Sequence, residues 1–218
     1  MIEKLGMQGY EAISTPSEHV KFVLDNLIIR EREREALHIA EIGIGIGATT
    51  LEILKRLSDK DFYYMFDFQK TVDELFEDIK DSKCSIKKYG NTSKLWDSYC
   101  WTLADFYLNE MSSKNIFDLA YLDGAHTLFH DAPACCVLKE LVKVGGYLIL
   151  DDVKWSYARS PTMNPKIYPV ILEKMTDEQI NTPHIELILK LFLDTDKRFV
   201  RFYDESLSDL RAIYKKIE

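Results

Sequence analysis

The sequence predicts an α/β protein with a doubly wound, mostly parallel sheet of about seven strands and an antiparallel C-terminal hairpin. Three observations carry that expectation. Short apolar runs alternate with helical patterns from residue 37 to residue 150, as strands buried on both faces do with their crossover helices. Glycine is scarce, 9 in 218 residues, yet Gly43, Gly45 and Gly47 alternate directly after the first run, and Gly145-Gly146 precede the fifth. The tail then breaks the rhythm: two helical stretches are followed by apolar runs at 198–203 and 210–217, joined by a short turn.

The elements follow in order. Thr15 reads as the cap of the first helix, with Pro16 at its first position and Glu18 at its third. Val20, Val23, Leu24, Leu27 and Ile28 recur at helical spacing. The run Glu31-Arg32-Glu33-Arg34-Glu35 carries almost no net charge and reads as the solvated end of that helix. Strands are expected at 37–42, 62–66, 85–89, 119–122 and 147–150, and helices at 49–57, 72–80, 95–111 and 128–142. Trp96, Tyr99, Trp101 and Tyr107 fall on the helix at 95–111, where aromatics at helical spacing are usually core. Gly145-Gly146 reads as the turn that ends the helix at 128–142 and launches the fifth strand. Two further helical stretches, 167–175 and 184–192, precede the hairpin.

No internal repeat and no Pro/Gly/Ser-rich linker is found, so residues 1–218 are read as a single domain. Its parts are an N-terminal helical segment (1–35), a binding core (36–153), a loop over the site (154–166) and the C-terminal helices and hairpin (167–218). With 46% hydrophobic and 29% charged residues, the chain is neither disordered nor low-complexity. A net charge of −8 argues against a nucleic-acid partner. No apolar run approaches the roughly 20 residues of a membrane span, and the N-terminus lacks the apolar core of a signal peptide. Cys84, Cys100, Cys135 and Cys136 show no CxxC pair and no metal-ligand spacing, so they are expected to be buried reduced thiols of a cytoplasmic protein. The oligomeric state, a homo-oligomer included, is left open.

Ligands of such sheets bind beyond the carboxyl ends of the strands. After the first strand, Glu41-Ile42-Gly43-Ile44-Gly45-Ile46-Gly47-Ala48-Thr49 makes a glycine-rich strand-to-helix turn. It lets a ligand approach the backbone and offers free N–H groups to an anion. The same string also reads as G-x-G-x-x-A, a dinucleotide fingerprint, and glycine spacing does not separate the two. Asp67 follows the second strand, where a carboxylate can accept both hydroxyls of a ribose, so an adenosine-containing cofactor fits. Asp123-Gly124-Ala125-His126 follows the fourth strand and Asp151-Asp152 the fifth. Three carboxylates and an imidazole can therefore converge, and a hard divalent ion, Mg²⁺ before Zn²⁺, is their natural partner. The plainer alternative has one aspartate capping a helix and the other orienting a loop.

Together these residues resemble the class I S-adenosyl-L-methionine-dependent methyltransferases, which have a Rossmann-like sheet. The likeness is greatest to the metal-dependent small-molecule O-methyltransferases, including the branch acting on sugars and other natural products, and it spans roughly residues 36–155. Glu41-x-Gly43-x-Gly45-x-Gly47 matches the family's acidic glycine loop. Thr49 falls where the family has a serine or threonine near the cofactor carboxylate. Asp67 matches its ribose binder, and Gly90-Asn91-Thr92 the loop beside the adenine. The strings YLDGAH and LILDDV resemble its two metal strings.

The resemblance implies S-adenosylmethionine held by Glu41, Gly43, Gly45, Gly47, Thr49, Asp67, Asn91, Thr92 and Asp123, and a divalent metal on Asp123, Asp151 and Asp152. Some members carry a lysine base three residues after the first ligand; here His126 stands at that place. The implied reaction is methyl transfer to a hydroxyl of a small molecule, a carbohydrate or another natural product, with the metal orienting the acceptor. His130, one turn further on, either faces the same site or, on the plainer reading, lies at the surface. The segment 154–166, with Trp155, Tyr157 and Arg159, is expected to lie over the site, Arg159 contacting an anionic group of the substrate; the plainer alternative is a surface connection to the next helix. The short N-terminal region leaves little sequence for a substrate cap. An NAD-dependent oxidoreductase and a non-catalytic methyltransferase-like subunit remain as alternatives.

Overall fold

The computed structural model describes residues 1–29, 35–94, 96–109 and 115–218. The expected solvated helix end at 31–34, and residues 95, 110 and 111 of the expected helix at 95–111, lie outside the described residues.

Among the described residues seven strands form one sheet: β1 (His38–Ile42), β2 (Phe62–Phe68), β3 (Ser85–Asn91), β4 (Phe117–Leu122), β5 (Val142–Leu150), β6 (Phe199–Phe202) and β7 (Ala212–Lys216). Their order is β3-β2-β1-β4-β5-β7-β6. The first five pair in parallel, while β7 runs antiparallel to both β5 and β6. This is the doubly wound sheet with an antiparallel C-terminal hairpin that the alternation of apolar runs predicts.

Among the described residues eight α-helices accompany it: α1 (Glu18–Phe22), α2 (Ala48–Leu54), α3 (Gln69–Ile79), α4 (Tyr99–Asn109), α5 (Leu128–Leu141), α6 (Ile171–Lys174), α7 (Asp177–Asn181) and α8 (His184–Ile188). α1 and α8 each run on into a π-helical turn, Val23–Ile28 and Leu189–Leu193. The cap of α1 is Ser17, whose hydroxyl accepts from Val20 N at 3.3 Å, and not Thr15. Thr15 instead lines the main cavity. The stretch at 167–175 holds only the four-residue α6.

Successive strand residues point to opposite faces, and both faces are covered. Ala40, Ile42, Tyr64, Phe66, Ala120 and Leu122 pack on α4, α5 and α8. Their neighbours Ile39, Tyr63, Met65, Leu119 and Tyr121 pack on α1, α2 and α3. Burial on both sides is why the strands read as continuous apolar runs rather than alternating ones. Two aromatics expected in the core are outside it: Trp96 is 90% and Trp101 72% exposed. Tyr107 does pack against the core. The four cysteines are free thiols, but only Cys84 and Cys135 are buried, and Cys136 is exposed.

Gly145-Gly146 do not end a helix. Val142 already pairs with Phe117, and the register then jumps to Leu119↔Tyr147. Gly145 takes φ +87°, and a Cβ on Gly146 would stand 2.9 Å from Phe117 O. The pair therefore forms a bulge inside β5 that brings the strand back into line with β4.

Candidate active site

The crossovers from β1 and β4 leave the sheet in opposite directions, so a crevice opens where their carboxyl ends part. The ladder continues one residue past the strands there. Gly43 N donates to Phe66 O at 2.8 Å, Asp123 N to Ile42 O at 2.8 Å and Asp151 N to Leu122 O at 3.0 Å. Gly43, Asp123 and Asp151 are thereby held side by side on the rim of a cavity of about 670 Å³.

The three glycines after β1 do different work. A Cβ on Gly43 would stand 1.8 Å from Asp123 O, so the absence of a side chain lets the β1 and β4 ends touch. Gly47 caps α2 at φ +92°, and a Cβ there would meet the Leu75 side chain at 2.7 Å; Gly47 is not part of the cavity wall. Gly45, at φ +50°, has open space where its Cβ would be and lines the cavity. Gly43 and Gly45 thus both bring backbone to the cavity wall, and of the three glycines Gly45 alone has open space where a side chain would stand.

Asp67 also lines the cavity. Its Oδ2 accepts from Ile44 N at 2.9 Å and its Oδ1 from Phe68 N at 2.6 Å, which ties the glycine loop to the end of β2. Burial pushes its carboxyl above the usual range. Asn91 is buried beside it with its amide donating to Thr92 O at 3.1 Å. Thr92 faces elsewhere: its N–H and hydroxyl both donate to Asp97 Oδ2, at 2.8 and 2.6 Å, and it is not on the cavity wall. Thr49 is buried on the wall, its hydroxyl accepting from Ser17 N at 3.0 Å.

Glu41 is buried behind the loop. Tyr63 OH donates to its Oε2 at 2.5 Å and Thr50 Oγ1 at 2.9 Å, and desolvation pushes its carboxyl up to about 8.

At the other end of the cavity the imidazole and carboxylates do meet. His126 Nε2 lies 3.7 Å from Asp123 Oδ1 and 3.5 Å from Asp152 Oδ2. His126 and Asp152 both adopt positive φ, +55° and +50°, a conformation costing about 1–3 kcal/mol that surrounding contacts must hold. Asp152 is held by its own N–H on Asp151 Oδ1 and by Trp155 N on its carbonyl, and the turn at His126 by contacts from α4 and α5. Tyr99 OH donates to Asp131 Oδ1 at 2.6 Å and accepts from Ala125 N at 3.0 Å, while Asp131 Oδ2 accepts from Thr127 N at 2.9 Å. Trp155 packs on the imidazole at 5.8 Å between ring centroids. His130, on the first turn of α5, faces the cavity and not bulk solvent alone.

Asp151 is differently placed. Its carboxylate takes the Tyr121 hydroxyl on Oδ2 and the Asp152 N–H on Oδ1 at 2.7 Å, and Arg211 Nε lies 2.8 Å from Oδ1. Tyr121 OH also stands 3.2 Å from Asp123 Oδ2, bridging the two aspartates. Burial and the charges of Asp151, Glu41 and Asp152 push the Asp123 carboxyl well above its ordinary value, with Arg211 opposing them. Among the described residues no group of three or more His, Cys, Asp or Glu side chains is arranged to hold a metal ion. Asp151, surrounded by protein donors, does not fit the expected role of a ligand in a divalent-ion site.

Sequence reasoning places Tyr99 in the core and passes over Tyr121, Asp131 and Arg211. Tyr121 sits inside the string YLDGAH, and its inward direction follows from strand alternation with Leu119. Asp131 is on the fourth position of α5, a place with no local signature. Arg211 has no sequence signal at all. Arg159, in contrast, is exposed and off the cavity wall. Its segment packs instead as a small cluster of Tyr157 with Ile171 and Ile180, so of the residues at 154–166 only Trp155 reaches the site. Ile13 and Thr15 supply cavity wall from the N-terminal segment.

No protein-family model matches the sequence, and no curated protein is significantly similar to it. Solved structures do share the architecture. A provisionally named O-methyltransferase from Klebsiella pneumoniae superposes with a TM-score of 0.59, covering 99% of this chain and 86% of its own at 14% identity. The O-methyltransferase TomG from Streptomyces achromogenes, involved in tomaymycin synthesis and solved with S-adenosylmethionine, gives 0.54 over 92% and 80% at 12% identity. A methyltransferase from Geobacter sulfurreducens gives 0.53 over 94% and 81% at 9% identity. At such identities the likeness establishes the fold alone, a Rossmann-like sheet that this chain shares with these methyltransferases.

Proposed function

We propose that the chain, read as one domain over residues 1–218, is an S-adenosylmethionine-dependent methyltransferase acting on a hydroxyl of a small molecule, a carbohydrate or another natural product. The observation that supports it is one cavity whose two ends have different chemistry. One end offers Gly45 backbone, Asp67 and Asn91, suited to a nucleoside; the other offers His126 between Asp123 and Asp152. The residues fit the cofactor: the open volume at Gly45 admits a ligand to the backbone, and the Asp67 carboxylate keeps unused acceptor capacity for ribose hydroxyls.

The cofactor, when bound, supplies an electrophilic methyl group. The protein has to align an acceptor with it and exclude water. Asp67, Asn91 and the Gly43–Gly45 backbone hold the nucleoside end, and Thr49 the amino-acid end. At the acceptor end His126 takes the hydroxyl proton; imidazole is the side chain that ordinarily exchanges protons near neutral pH. His126 Nε2 stands between the Asp123 and Asp152 side chains, 3.7 and 3.5 Å from their nearest oxygens. Those same side chains fix the ring. Asp151 keeps its bonds to Tyr121, Arg211 and the Asp152 N–H and takes no part in the proton transfer.

Among the described residues no helix is long and apolar enough to cross a membrane. Calorimetry with S-adenosylhomocysteine and with NAD tests the reading. Micromolar binding of the first without the second is the expected outcome, and the reverse would overturn it in favour of an oxidoreductase. Turnover in a panel of hydroxyl acceptors that His126→Gln abolishes would separate an enzyme from a non-catalytic subunit.

A further inference from the structure

Converging carboxylates need a cation among them, and the sequence points to a divalent ion on Asp123, Asp151 and Asp152. The fold provides a cation from its own chain. We propose that Arg211 stands in for that ion, neutralising the aspartate cluster and presenting a fixed positive group to the acceptor end of the cavity. Its role toward the acceptor rests on the methyltransferase reading; its role toward the aspartates does not.

The register of the hairpin puts Arg211 there. Leu150 pairs with Ala212 in the antiparallel β5–β7 ladder, so the residues one step further on, Asp151 and Arg211, stand opposite each other on the rim. Val153 N donates to Leu210 O at 2.9 Å and keeps the two chains together beyond the strands. Arg211 Nε then lies 2.8 Å from Asp151 Oδ1 and 3.4 Å from Tyr121 OH, and the Asp151 side chain is only 6% exposed.

A metal ligand must aim lone pairs at the ion, and hard divalent ions take several oxygens at once. Asp151 accepts from Tyr121 OH and from the Asp152 N–H and is ion-paired with Arg211. Guanidinium keeps its charge at all ordinary pH and is less strongly hydrated than ammonium, which suits it to a half-buried site. Arg211 lines the cavity, and its two terminal nitrogens make no hydrogen bond among the described residues. Neither is among the buried polar atoms that lack a partner. Those N–H groups are therefore open to the cavity, where an acceptor oxygen that is losing its proton would meet them.

Mn²⁺ titration of the full-length protein, read by electron paramagnetic resonance, tests the proposal without any need for turnover. Wild type should take up no stoichiometric Mn²⁺. Arg211→Ala should gain one site per chain, with an affinity roughly ten- to a thousandfold above wild type, the range expected on removing a unit charge at this distance. Arg211→Lys, which keeps the charge, should stay without a site. A stoichiometric site in wild type that Asp151→Asn abolishes would overturn the proposal, as would a folded Arg211→Ala protein that takes up no Mn²⁺. If Arg211→Ala fails to fold, the wild-type and Arg211→Lys titrations decide. Binding of S-adenosylhomocysteine to the same wild-type sample reports separately on the methyltransferase reading.

Discussion

Arg211 Nε lies 2.8 Å from Asp151 Oδ1, joining the start of the last strand to the end of the fifth. This pair lies on the wall of the cavity. Without β7 beside β5, the Arg211 guanidinium would not stand against the aspartate that follows β5. The antiparallel hairpin thus completes the site as well as the sheet.

Gly43 and Gly45 should respond very differently to alanine. A Cβ on Gly43 would overlap Asp123 O at 1.8 Å, so the β1 and β4 ends would have to part. Gly43→Ala should lose about 3 kcal/mol or more of stability. Gly45 has open space and a positive φ, so Gly45→Ala should lose only about 1–2 kcal/mol. It should nevertheless weaken S-adenosylhomocysteine binding by placing a methyl group at the cavity wall. Urea denaturation and calorimetry on both variants check the contrast.

Glu41 should make stability depend on pH in a direction opposite to most carboxylates. Its carboxyl is pushed from an ordinary 4.5 to about 8 in the folded chain. Between those values the folded state holds a proton that the unfolded state has released, so its contribution to stability is full below pH 4.5. That contribution is lost as pH rises toward 8, at about 1.4 kcal/mol per pH unit. Glu41→Gln should flatten this slope in ligand-free protein. Equal slopes for wild type and variant in denaturation between pH 5.5 and 8 would count against it.

Asp67→Ala should weaken S-adenosylhomocysteine binding by roughly ten- to a hundredfold, the usual effect of losing charge-assisted hydrogen bonds. Part of that loss comes through the loop, because Asp67 also accepts from Ile44 N. Asp67→Asn keeps one acceptor oxygen and should recover part of the affinity in the same calorimetric titration.

His126→Gln should lower kcat by roughly 10²–10⁴-fold, with S-adenosylhomocysteine affinity unchanged within about twofold. Asp152→Asn should give a smaller fall in kcat, because one of the two carboxyl groups beside the imidazole is then altered. A kcat equal to wild type would assign Asp152 to loop structure instead.

The sequence by itself determined the order of strands and helices, the switch-point loop and the loop residues that could bind. Runs such as Phe62–Phe68 are apolar because both faces of a parallel sheet are covered, and that pattern is local. Asp67, Asp123 and His126 line the cavity and are legible because each stands at or just past the carboxyl end of a strand, on the rim where ligands of such sheets bind. The tertiary structure alone decided how the three glycines divide their roles, that Thr92 turns away to Asp97, and that Asp151 belongs to Arg211 and Tyr121. Those outcomes depend on atoms from elements far apart in the chain meeting at van der Waals or hydrogen-bond distance. No local spacing encodes such meetings: the Arg211–Asp151 pair exists because β7 runs antiparallel to β5 with Ala212 opposite Leu150. Shifting that register by one residue would turn the arginine to the other face of the sheet.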